Sequence, residues 1–139
     1  MRKNKITAVT MIEILTTLII ISILAALALP QFTATRERAL NKEAKANLKL
    51  IDAAEKIYKM EEGFYYPYEV VTKTDRQEIN ANLKIAIAEG NWGYSVTGNS
   101  GSSYGSVADR TGSGGYLECQ YEMSDTATEP TPVGGTGCP

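Results

Sequence analysis

Two cysteines, Cys119 and Cys138, lie near the C-terminus of this 139-residue chain, and an acid, Glu13, stands at the front of a long apolar run. Further acids, Asp109, Glu118, Glu122, Asp125 and Glu129, fall in the C-terminal third. There is no histidine. An imidazole base and a histidine-ligated metal are therefore excluded. The cysteines are too far apart for a CxxC redox or zinc motif, and two thiols without histidine do not complete a tetrahedral zinc shell. If the domain is exported, a disulfide is the default for such a pair; free buried thiols are the alternative. The acids lack the spacing of an EF-hand calcium loop and read as solvated. Residues 98–115 are rich in Gly and Ser but carry no Walker-type lysine pattern, so these glycines read as turns. The expectation is a non-enzyme with no cofactor and no metal.

The element that positions Glu13 runs from Ala8 to Phe32, reading AVTMIEILTTLIIISILAALALPQF. Its apolar run, Ile14 to Leu29, ends at Pro30. A leader with Arg2, Lys3 and Lys5 and no acid precedes it. A secretory signal peptide is one reading, with Ala26-Leu27-Ala28 as a small-residue cleavage site. A plain membrane anchor is another, since Thr10 to Leu29 approaches the ~20 residues that cross ~30 Å of hydrocarbon. The basic leader would then stay in the cytoplasm. Both leave Glu13 unexplained, because an acid in such a helix costs about 2.5–3.5 kcal/mol near the bilayer centre and less toward its edge.

The same stretch closely resembles the N-terminus of type IV prepilins and of the related type II secretion pseudopilins. The resemblance implies cleavage between Ala8 and Val9 by a prepilin peptidase, followed by N-methylation of Val9. The mature chain would begin Val9, Thr10, Met11, Ile12, Glu13, and the family's proline falls on Pro30, with Gln31 and Phe32 continuing the pattern. Two residues depart from the family's preference: Ala8 replaces the usual glycine before the cut, and Val9 the usual phenylalanine or methionine. The resemblance assigns assembly roles to Glu13 and Pro30. The Glu13 carboxylate would neutralise the N-terminal amine of a neighbouring subunit's Val9; the simpler reading is a Glu13 that snorkels to the headgroups.

Helix is expected from about Thr10 to Met60, with a kink or loosened turn at Pro30, which has no N–H for the Ala26 carbonyl. Beyond Pro30, Leu40, Ala44, Leu48, Ile51, Ala54 and Tyr58 recur at three- and four-residue steps and mark one buried face. Arg36, Glu37, Lys42, Glu43, Lys45, Lys49, Asp52, Glu55 and Lys59 are expected to cover the rest. Gly63 caps the helix end, and the tyrosines of Gly63-Phe64-Tyr65-Tyr66-Pro67 are expected to pack against the helix. A short helix is expected around Asp75–Asn82. Leu83, Ile85 and Ile87 alternate as a strand, Gly90-Asn91 supplies a hairpin turn, and Trp92, Tyr94 and Val96 alternate on the next strand. A short strand near Ser106–Arg110 follows, and Leu117, Cys119, Tyr121 and Met123 alternate on a last one. The tail from Ser124 is poor in apolar residues and, without the Cys119–Cys138 link, reads as disordered.

The expected fold is α+β: a long N-terminal helix packed on an antiparallel sheet of three or four strands, a pilin-like roll with a C-terminal disulfide loop. The expected divisions are a leader at 1–8, an apolar membrane and assembly helix at 9–30, and a globular domain at 31–139. Basic and acidic residues number 14 and 16, for a net charge of −2. The leader takes three of the basic residues and none of the acidic ones, leaving 11 against 16 and a net −5. That balance argues against nucleic acid as the main partner. The resemblance implies self-association into a helical homopolymer, with the prepilin peptidase and methylase, the inner-membrane assembly machinery and the membrane itself as earlier partners. The expected location is the inner membrane and then an extracellular pilus. A periplasmic type II secretion pseudopilus and a secreted globular protein are the alternatives. The disulfide loop tilts toward the pilus, because major secretion pseudopilins usually lack one.

Overall fold

The computed structural model describes residues 9–111, 119–133 and 138, and of Leu29 and Pro30 the backbone alone. Ala8, Leu117 and Glu118 lie outside the described residues. The chain divides into two compact units, Met1–Arg36 and Glu37–Pro139. One helix, α1 (Met11–Glu62), runs through the first unit and into the second. It includes Pro30, so the missing donor there does not end the helix.

In the first unit every described side chain from Val9 to Ala28 is exposed. The helix is long and apolar enough there to cross a membrane. Thr16, Thr17 and Ser22 do not add free polar groups to it. Their hydroxyls donate to the carbonyls of Ile12, Ile14 and Leu18 at 2.9, 2.8 and 2.7 Å, a bond back into the preceding turn that lets such residues sit in an apolar helix.

In the second unit the three- and four-residue spacing of α1 buries the expected face from Ala44 onward, while Leu40, expected on it, is only half-buried. Ala44, Leu48, Ile51 and Ala54 are buried, with Tyr58 packed at the edge of the same core. They meet the inner face of a five-stranded antiparallel sheet ordered β1-β2-β3-β4-β5. The strands are β1 (Thr72–Lys73), β2 (Trp92–Asn99), β3 (Ser103–Arg110), β4 (Gln120–Ser124) and β5 (Thr131–Val133). Alternation puts Trp92, Tyr94 and Val96 of β2, Tyr104 and Ala108 of β3, and Tyr121 and Met123 of β4 on the core side. The sheet has more strands than expected: β1 and β5 are too short to show a pattern, and Pro132 sits where an edge strand tolerates it.

Two expectations about residues 83–91 fail. Leu83 closes a second helix, α2 (Arg76–Leu83), and Ile85 and Ile87 follow in irregular chain. The Asp75 carboxylate starts α2 by accepting the Gln77 and Glu78 N–H groups at 2.7 and 3.3 Å. Lys84, at φ 55°, ends it. The Ile87 backbone finds its partners on a side chain: Asn80 Oδ1 accepts its N–H and Asn80 Nδ2 donates to its carbonyl, both at 3.0 Å. Ile87 is buried all the same. The hairpin turn is not at Gly90-Asn91 but at Ser100-Gly101, between β2 and β3. Both residues have positive φ, 51° and 67°, and the Ser102 N–H closes the turn on Asn99 O at 3.1 Å.

α1 ends at Gly63, φ 88°, whose N–H donates to Lys59 O at 2.9 Å. Residues 63–71 then lie down on the β2–β3 hairpin. The Tyr65 N–H donates to Gly101 O and the Gly98 N–H to Val71 O, each at 3.1 Å. Gly98 makes that approach achievable, since a Cβ there would stand 1.8 Å from Pro67 O and 2.5 Å from Glu69 O. Replacing it with alanine must move backbone and not a side-chain tip. Gly98→Ala is expected to lower folding stability by about 3 kcal/mol, read from the urea midpoint of the full chain; an unchanged midpoint would mean the loop is not seated on β2.

Candidate functional site

The expected assembly residues gather at the start of α1. Val9 and Thr10 precede the helix. The Glu13 N–H donates to the Thr10 carbonyl at 3.1 Å, and the Thr10 hydroxyl lies 3.3 Å from the same N–H. Thr10-Met11-Ile12-Glu13 has the spacing of a capping box, in which a threonine cap precedes a glutamate on the third helical residue. A carboxylate in the first turn also faces the positive end of the helix dipole, worth about 0.3–1 kcal/mol at an exposed site. Glu13 therefore has a local reason to stand where it does, and its side chain is exposed. Pro30 lies on the backbone of α1 in the same unit, and no site forms between it and Glu13, which is many helical turns away.

Cys119 and Cys138 are joined by a disulfide with Cα atoms 4.9 Å apart. Cys119 is buried in the core, just ahead of β4, and Cys138 packs against that core from the tail. The link ties Cys138 to the core beside β4, and Thr131–Val133 join the sheet as β5. By the loop-entropy relation such a closure adds roughly 3 kcal/mol. Asp109, Glu122, Asp125 and Glu129 do not converge. Asp109 accepts from Gln120 and Glu129 pairs with Lys49, and among the described residues no three His, Cys, Asp or Glu side chains are placed to hold a metal.

The acids that the sequence reading assigned to the solvated face of α1 include two that are buried. Glu55 is fully enclosed and Asp52 nearly so. Asp52 accepts a 2.6 Å hydrogen bond from the Tyr104 hydroxyl and a 2.8 Å ion pair from Lys56. Glu55 Oε2 accepts the Tyr66 N–H at 2.9 Å, holding the loop after α1 to the helix. Glu55 Oε1 is buried with no partner among the described residues. Burial raises the Glu55 pKa from 4.5 to about 8; the Tyr66 N–H pulls it down, and the Asp52 charge pushes it further up. At neutral pH the folded chain therefore holds Glu55 protonated. Helical phase is the signal that could have shown this, because Glu55 stands seven residues after Leu48 and so shares the core face. A half-buried pair joins Glu37 to Arg110 at 3.3 Å, and the Arg110 guanidinium lies 5.7 Å from the Trp92 ring centre.

Glu55 gives a pH dependence of known sign. Its folded pKa lies above the unfolded value, so between about pH 4.5 and about pH 8 the folded chain binds a proton that the unfolded chain releases. Its contribution to stability is complete below that window and declines as pH rises through it. Glu55→Gln, which keeps an acceptor for the Tyr66 N–H and cannot ionise, is expected to flatten this decline when urea midpoints are compared at about pH 5 and about pH 8. Identical slopes in the two proteins would show that Glu55 does not carry the effect.

Searched against protein-family models, curated proteins and solved structures, the chain finds no match in any of the three.

Proposed function

We propose that the chain is the structural subunit of a type IV pilus, cut between Ala8 and Val9, N-methylated on Val9 and polymerised through its apolar N-terminal helix. One observation carries the reading: from Val9 to Ala28 a helix apolar enough to span a bilayer leaves every described side chain uncovered. Such a surface needs lipid before assembly and protein after it. In a filament, close packing of Met11 to Ala28 among neighbouring copies replaces lipid contact with denser side-chain contact. Glu13 then meets the amine of a neighbour's Val9 and sets the register. The α+β layout and the Cys119–Cys138 link are compatible with the same reading, and adhesion, twitching motility and DNA uptake are the uses open to such a fibre.

The tests are an N-terminus and a mutant. Material sheared from the cell surface is expected to begin at methylated Val9. The same N-terminus found only in the periplasm would point to a secretion pseudopilus, and a chain starting at Leu29 would mean an ordinary signal peptide. Glu13→Ala is expected to be cleaved normally and to give few filaments, since removing one partner of a buried pair costs about 3–5 kcal/mol. Filaments of wild-type yield from that mutant would overturn the pairing.

A further inference from the structure

Beside the end of α1 the second unit has an open groove of about 290 Å³ that no role above uses. One wall is aromatic. Tyr58 meets Phe64 and Tyr66 edge to face at 5.9 Å, and Phe64 meets Tyr68 in the same way at 5.1 Å. The run of rings ends on Tyr68, which is 57% exposed. The other wall is polar. Asn82 Nδ2 donates to Glu78 O at 2.8 Å and to the Tyr66 hydroxyl at 3.3 Å, while the Glu78 carboxylate takes the Lys73 ammonium at 2.7 Å. Glu69 adds a further carboxylate at the rim.

The groove is built rather than left over. Gly101, at φ 67°, lies under the Phe64–Tyr68 pair, and a Cβ there would come within 2.7 Å of Phe64 Cβ and 2.9 Å of the Tyr68 ring. Gly98 seats the same loop, and Glu55 holds it at the Tyr66 N–H. The aromatic wall is thus fixed by backbone contacts before any ligand arrives, which lowers the ordering cost of binding.

We propose that this groove binds a neutral saccharide. A pyranose offers a face of C–H groups to an aromatic ring and hydroxyls at its rim, which suits the exposed Tyr68 ring in a groove that Glu69 and Asn82 also line. Glu69 disfavours an anion, since Lys73 is already paired with Glu78. The charged rim disfavours an apolar peptide, whose capture would leave those groups unpaired. Edge-to-face contacts fill the space between rings, so no box is left to surround a quaternary ammonium, the arrangement that a strong cation–π site uses. Both amide protons of Asn82 are already engaged, which leaves its carbonyl oxygen to accept from a ligand hydroxyl.

The test follows aromatic-ring NMR signals of the full chain in a sugar-free polyoxyethylene detergent while cellobiose, maltose or N,N′-diacetylchitobiose is added, with choline and a sulfated disaccharide as competing chemistries. Saturable shifts of the Tyr68 and Phe64 rings with at least one neutral disaccharide are expected. Tyr68→Ala, at an exposed position that leaves the core intact, is expected to weaken that binding at least about tenfold. The proposal is overturned if none of the neutral sugars gives a saturable shift, if choline or the sulfated sugar binds more tightly, or if Tyr68→Ala binds as well as wild type. None of these outcomes depends on filament formation.

Discussion

Helix α1 presents its apolar residues in two arrangements, and each demands a different surrounding. From Glu37 onward they recur on one face, and Ala44, Leu48, Ile51 and Ala54 bury that face against the sheet of the same chain. Ahead of that, from Met11 to Ala28, apolar residues surround the helix and remain exposed. Hydrophobic surface of that extent is unstable in water, whatever the quality of the helix. The first unit therefore depends on material outside the chain, while the second satisfies itself. A membrane would meet the first demand by solvation, and a bundle of apolar helices would meet it by packing.

Inside the second unit, polar groups do more of the organising than the composition suggests. Asp52 and Glu55 enter the core on α1 and reach Tyr104 on β3 and the backbone of the loop after the helix. Arg110 and Glu37 join β3 to α1 across a nearly closed contact. Burying such groups is costly unless they are partnered, and here the bonds set where the loop and the strands lie against the helix. Glu55 is incompletely partnered, with one oxygen buried alone, and the raised pKa is the form that this deficit takes. The loop it holds also forms the aromatic wall of the groove, so the protonation of one core residue bears on a surface feature.

Much of this architecture was legible in the residues. The period of α1, its end at Gly63, the alternation of Trp92, Tyr94 and Val96, and the short helix after Asp75 all follow from local rules that act over a few residues. Readings failed where two local rules competed. Leu83, Ile85 and Ile87 alternate like a strand, yet Leu83 also lies four residues after Ile79, and the Asp75 cap tips the balance toward helix. Gly90-Asn91 and Ser100-Gly101 both suit a tight turn, and only the pairing of β2 with β3 selects the second.

By itself the sequence determined the apolar N-terminal segment, the amphipathic continuation of its helix, the α+β class and the presence of two cysteines near the C-terminus. These depend on side-chain type and spacing along one element. The Cys119–Cys138 link is also expected, as the default pairing of the two cysteines, and forms; tertiary structure alone decided that Glu55 and Asp52 are interior and that Pro67 crosses Gly98 too closely for any side chain. Each of those joins residues distant in sequence, and no local pattern specifies which elements come together. The edge strands β1 and β5 belong with them, because runs of two and three residues form only where a neighbouring strand already offers its hydrogen bonds.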